Sequence, residues 1–118
     1  MTATDNLLMA LSNLDALPGQ ETQVQQALQE IIDEPATKDA FGNLYFGEVK
    51  TKKKTIALYA HMDEVGFFVH RISDDGFVSF YPIGGWWGHV ILGQQVRATC
   101  RKNGAVLELS LIHISEPT

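Results

Sequence analysis

His61, Asp63 and Glu64 stand in the stretch Tyr59-Ala60-His61-Met62-Asp63-Glu64-Val65-Gly66, a histidine and two acids placed where an apolar run ends. An imidazole can ligate a divalent cation through one ring nitrogen while a nearby carboxylate orients the ring through the other. The chemistry suggested is a metal site, with His61 as the ligand and Asp63 as the residue that orients it or tunes its reactivity. On three letters alone, a hydrogen-bonded histidine at a strand end explains the pattern as well.

The element that must position these groups is Thr55-Ile56-Ala57-Leu58-Tyr59-Ala60, which is short, apolar and β-leaning and reads as a strand inside a covered sheet. Ligands of open α/β sheets gather outside the carboxyl ends of strands, so His61 and Asp63 are expected to project into such a crevice. Residues two apart in extended chain share a face, which aims both side chains the same way. Upstream, Leu7, Leu8, Leu11 and Leu14 have helical spacing over 5–17, with Thr4 or Asp5 as cap, until Pro18-Gly19 breaks the run. A second helix is expected over 20–33, where Val24, Ala27, Leu28, Ile31 and Ile32 form an apolar stripe. Glu21 reads there as a favourable charge in the first turn. Both helices are expected to cover a sheet face.

Between these helices and His61, Phe41-Gly42-Asn43 reads as a turn and Leu44-Tyr45-Phe46 as a short strand. After Gly66 the pattern becomes all-β. Short strands begin at Phe67, Phe77, Gln95 and Ala105, and Ser73-Asp74-Asp75-Gly76 and Lys102-Asn103-Gly104 have hairpin composition.

A hydrophobic share of 45% and a charged share of 19% are those of a globular chain, and 118 residues suffice for one modest domain. The net charge of −5 argues against nucleic acid as partner, because phosphate binding wants a basic face. Lys50 and Lys52-Lys53-Lys54 read as a solvated loop. No apolar stretch is long enough for a bilayer and the start lacks the regions of a signal peptide, so no membrane partner and a cytoplasmic location are expected. The single cysteine, Cys100, is expected at a buried strand position. His70 reads as a cross-strand residue, His89 as a loop residue and Trp86-Trp87 as packing aromatics.

The string Ala60-His61-Met62-Asp63-Glu64-Val65-Gly66-Phe67 closely resembles the signature of the glutamyl aminopeptidase family of zinc exopeptidases, which includes the tetrahedral aminopeptidases. Two flanking blocks agree in order and spacing. They are Leu17-Pro18-Gly19-Gln20-Glu21-Thr22-Gln23-Val24, and Pro82-Ile83-Gly84-Gly85-Trp86-Trp87 with Val90-Ile91-Leu92-Gly93-Gln94-Gln95-Val96. The resemblance implies an α/β fold: 1–65 as the N-terminal part of a zinc-exopeptidase α/β/α sandwich, and 66–108 as the start of an inserted β-barrel-like, PDZ-like dimerisation domain. It implies His61 as a metal ligand, Asp63 as the catalytic-site residue beside it, and two divalent ions, zinc or cobalt, in the complete protein. The remaining ligands and the general base of the family follow the inserted domain, at positions this sequence does not reach. Short peptides as substrates, and dimers that build a dodecamer, are further implications. Whether Glu64 takes part is left open by the resemblance.

The last residues, Leu109-Ser110-Leu111-Ile112-His113-Ile114-Ser115-Glu116-Pro117-Thr118, resemble the translation of a transposase-end sequencing adaptor. Residues 109–118, His113 among them, are therefore left out of the metal argument, and the natural chain is expected to run beyond Glu108. The expected function is that of an N-terminal piece of a metal-dependent aminopeptidase, inactive as it stands. Alternatives are a non-catalytic β-rich interaction module, a chain with too few strands to fold stably, and kinship with relatives described as endoglucanases.

Overall fold

The computed structural model describes residues 2–47 and 54–111; the lysines at 50, 52 and 53 and His113 lie outside them. The chain divides into two compact units, Met1–Ile83 and Gly84–Thr118.

The first unit opens with helix α1 (Ala3–Ser12). Its cap is Thr2 rather than Thr4 or Asp5. The Thr2 hydroxyl accepts from the Asp5 amide at 3.2 Å, and the Asp5 carboxylate accepts from the Thr2 amide at 2.7 Å. This reciprocal capping box satisfies two amides at once, which the later start could not do. The helix also ends earlier than its leucine spacing suggests, because the Asn13 side chain donates to the Met9 carbonyl at 2.7 Å and closes the last turn. No residue of α1 is buried.

Helix α2 (Thr22–Ile31) buries Val24 and Gln25. Gln25 docks it on a hairpin of β1 (Ala36–Lys38) and β2 (Leu44–Phe46), paired antiparallel with Thr37 opposite Tyr45. The Gln25 amide donates to the Gly42 carbonyl at 2.9 Å and accepts from Lys38 Nζ at 2.7 Å, so its buried polar atoms are both satisfied. The hairpin turn is built on Asp39. One carboxylate oxygen accepts from the Phe41 and Asn43 amides, each at 2.9 Å. The other accepts from the Asn43 side chain at 2.8 Å and the Tyr45 hydroxyl at 3.0 Å.

A second hairpin pairs β3 (Gly66–Ile72) with β4 (Val78–Ile83). Its turn needs Gly76, whose φ of 87° is the left-handed region glycine enters freely. Phe67 and Phe80 meet edge to face at 4.6 Å across the strands. His70 is the extra residue of a β-bulge between Val69 and Arg71, and its ring lies 4.7 Å from that of Tyr81, a cross-strand position as expected.

The segment expected as a covered strand, 55–60, carries no strand. Residues 54–65 pair with no described strand, and Ile56, Leu58 and Tyr59 are 90%, 94% and 91% exposed. A central strand exists through the ladders on its two sides, and neither neighbour is present among the described residues. The same lack corrects the expectation that the helices cover a sheet. The described strands form three separate two-stranded antiparallel sheets.

In the second unit, the short helix α3 (Gly88–Ile91) precedes a hairpin of β5 (Gln95–Thr99) and β6 (Val106–Ser110). Leu111 extends the pairing by donating to Gln94 and accepting from Gly93, and Leu111 and Ile91 are the buried apolar residues of this unit. Residues 109–111 thus join the ladder through main-chain groups, which any side chain permits. Cys100 is exposed, not buried, because it stands at the hairpin turn, where its amide donates to Ala105 and its carbonyl accepts from Gly104, both at 2.8 Å. No helix among the described residues is long and apolar enough to cross a membrane.

Hydrogen bonding to Asn43, above all to its side chain, holds the Asp39 carboxyl below its ordinary 3.8. A lowered native pKa gives a contribution to stability that is fully present above pH 3.8 and is lost as pH falls through the lowered value. Tyr45 shifts upward from 10.0, chiefly because its hydroxyl donates to Asp39, so its contribution is present below pH 10.0 and is lost as pH rises through the raised value. The Asn43 and Tyr45 amide resonances are therefore expected to hold steady between those limits and to lose protection outside them. Asp39→Asn should remove the acid-side loss.

Candidate functional site

The loop that carries His61 is held at its far end by Glu64. The Glu64 amide donates to the Ala16 carbonyl at 2.7 Å, and the Ala16 amide donates back to Glu64 Oε1 at 3.2 Å, a pairing across 48 residues. Ala16 is one of the few buried residues of the chain. Two residues on, Gly66 approaches Leu17 so closely that a Cβ there would overlap the leucine side chain. The connector between α1 and α2 and the loop at 61–66 are thus fitted to each other. The connector is fastened to α2 in turn, because Glu21 Oε1 accepts from the Gly19 amide at 2.7 Å and the Gln23 side chain accepts from the Asp15 amide at 3.3 Å. Glu21 occupies the cap position of α2 rather than its first turn.

His61 and Asp63 meet at the other end of the loop. The imidazole Nδ1 lies 2.9 Å from the Asp63 carbonyl and 3.3 Å from Asp63 Oδ1. Both are acceptors, so the proton belongs on Nδ1, which leaves Nε2 as the nitrogen that can ligate a cation. The pair forms without the strand that spacing suggested, because an imidazole reaches the carbonyl of the second residue on by a local turn of the chain.

Glu21, Phe41, Gly42, Asn43, Ala60, His61, Met62 and Asp63 line a cleft of about 150 Å³. Among the described residues its lining includes Glu21, Asp63 and His61 and no lysine or arginine, which favours a cation. The sequence singled out His61 and Asp63. It placed Glu21 on a structural helix end and gave no signal that α2 would start beside the cleft. A larger hollow of about 290 Å³, lined by Gln29, Glu30, Ile32, Asp33, Glu34 and Pro35, contains none of the candidate residues.

An exposed imidazole with Nε2 outward and Nδ1 held by Asp63 fits one ligand position of a divalent metal. Among the described residues no group of three or more His, Cys, Asp or Glu side chains is placed to hold an ion. His89 is an exposed residue of α3, and Trp87 is 78% exposed.

The fit at Gly66 yields a stability test. Gly66→Ala is expected to cost about 1–3 kcal/mol in urea unfolding, as overpacking does, and less in a Leu17→Ala background, where the obstruction is gone.

Comparison with known proteins bears on the same residues. Residues 42–118 match the profile of the M42 glutamyl aminopeptidase family. The chain is 33% identical to a putative aminopeptidase, FrvX, of Escherichia coli strain K12 over 98 residues, or 81% of this chain and 28% of that protein. It is 33% identical to the glutamyl aminopeptidase of Lactococcus lactis subsp. cremoris over 91 residues, 73% of this chain and 26% of that one. Among solved structures, aminopeptidase APDkam598 from the archaeon Desulfurococcus kamchatkensis matches with a TM-score of 0.78 and 30% identity, over 89% of this chain and 30% of its own. The chain spans less than a third of the length of these relatives.

Proposed function

Since the chain belongs to the M42 glutamyl aminopeptidase family, we propose that it is the N-terminal portion of a metal-dependent aminopeptidase acting on short peptides. The observation that carries this reading is the His61–Asp63 pair, which leaves Nε2 available at a cleft of acidic character. His61 would hold a divalent ion, zinc or cobalt, and Asp63 would fix the ring and add negative charge beside it. A bound ion of this kind supplies Lewis acidity toward a peptide carbonyl and activates water for hydrolysis. The acidic lining would also attract the free ammonium group of a peptide, which orients the first peptide bond toward the metal. A second ion, and the ligands that share it, would come from the part of the family's length that this chain does not span.

The finer architecture belongs to the same proposal. Residues 1–65 would contribute to an α/β/α catalytic layer. Residues 66–108 would begin an inserted β-rich domain through which dimers form and build a dodecamer. A cytoplasmic location suits a reduced cysteine and short peptide substrates.

The 118-residue chain is expected to release no amino acid from short peptides with zinc or cobalt added. Release that a chelator abolishes, from material free of host peptidases, would overturn this. In a zinc titration followed by NMR, the His61 ring signals should respond. Asp63→Ala should weaken that response by roughly tenfold or more, and His61→Ala should abolish it.

A further inference from the structure

Glu64 stands one residue from Asp63, and its acidic side chain invites a role in the chemistry. Its geometry gives it another. The carboxylate accepts from the Ala16 amide while the Glu64 amide donates to the Ala16 carbonyl, so one residue satisfies both main-chain groups of a buried alanine. The effect is that of a single rung of antiparallel ladder, with a side chain standing in for one carbonyl. Around it runs a closed circuit. Ala16 lies in the connector that Glu21 holds through Gly19, Glu21 lines the cleft, and the cleft's other wall carries His61 and Asp63. Without the Glu64 carboxylate the loop keeps its main-chain bond to the Ala16 carbonyl and its contact of Gly66 with Leu17, but loses the bond that holds the Ala16 amide.

We infer that Glu64 is a positioning residue, which sets the His61–Asp63 pair against Glu21 by pinning the loop to Ala16, and that it neither ligates the metal nor exchanges protons with substrate. The part that concerns the metal rests on the aminopeptidase reading; the pinning itself does not. Residue chemistry separates the two roles. A glutamine retains a carbonyl oxygen that accepts from the Ala16 amide, but it cannot act as a base and is a poor metal ligand. An alanine retains neither.

The test uses the whole 118-residue chain and its Glu64→Gln and Glu64→Ala variants. Amide exchange is read at Ala16, with Ile32 of the α2 terminus as control, since its amide donates to Leu28 at 2.9 Å. Ring signals of His61 are read with and without zinc chloride. Glu64→Gln should keep the Ala16 protection, the His61 signals and the zinc response. Glu64→Ala should lower Ala16 protection roughly tenfold with Ile32 unchanged, shift the His61 signals, and weaken the zinc response about tenfold. A Glu64→Gln variant that loses the zinc response while keeping Ala16 protected would overturn the inference in favour of a chemical role. So would a Glu64→Ala variant with unmoved His61 signals, or exchange at Ala16 that is unprotected in the starting chain. Should zinc leave His61 unmoved in all three proteins, the metal reading falls, and the pinning stands or falls on the exchange and the zinc-free signals.

Discussion

The hydrogen-bonded pairing of Ala16 with Glu64 is the constraint on which the cleft depends. Closing a loop of 48 residues costs more entropy than closing a hairpin, though the cost grows slowly with length. Hairpins repay closure with a ladder. Here two bonds, a buried alanine and the fit of Gly66 against Leu17 must do so. That concentration explains why the residues at the contact are small or main-chain in character. A side chain at 66 would meet the end of the Leu17 side chain and oblige it to move.

The rest of the chain is held by local contacts and leaves much apolar surface in water. Its accessible surface is 10415 Å², whereas a folded monomer of 13.1 kDa exposes about 6,400 Å². The excess includes Ile56, Leu58 and Tyr59, the residues that precede His61. Apolar β-formers of this kind gain stability when ladders lie on both sides and side chains cover both faces. The chain spans less than a third of its relatives' length.

Much of the local structure was legible because it rests on neighbours in sequence. Gly76 and the acids before it gave the β3–β4 turn, and Leu44-Tyr45-Phe46 gave β2. The cap of α1 lies two or three residues before the expected Thr4 or Asp5, since both are good cap types and only the reciprocal bond to Thr2 decides between registers. The strand at 55–60 failed because strand propensity reports what a segment would do in a sheet, and the sheet is a tertiary fact. Cys100 was misread for a related reason: a β-leaning neighbourhood does not say where the turn begins. Of the cleft, His61 and Asp63 were legible as a pair of types at close spacing. Glu21 was not, because it is brought to the cleft through Ala16 and Glu64, and no local pattern encodes a contact between residues so far apart.

The two acceptors on His61 divide the work of the site. The shorter contact, 2.9 Å, is to the Asp63 main-chain carbonyl, which no side-chain substitution removes. It assigns the proton to Nδ1 and leaves Nε2 as the nitrogen that can bind a cation. The carboxylate at 3.3 Å adds negative charge beside a geometry already set. Placement of the ring is therefore a property of the backbone turn from His61 to Asp63, and that turn ends one residue before Glu64. A loop anchored at its last residue and closed on itself at its first has little freedom left between, which is the condition a ligating imidazole needs if it is to meet an ion without first being ordered.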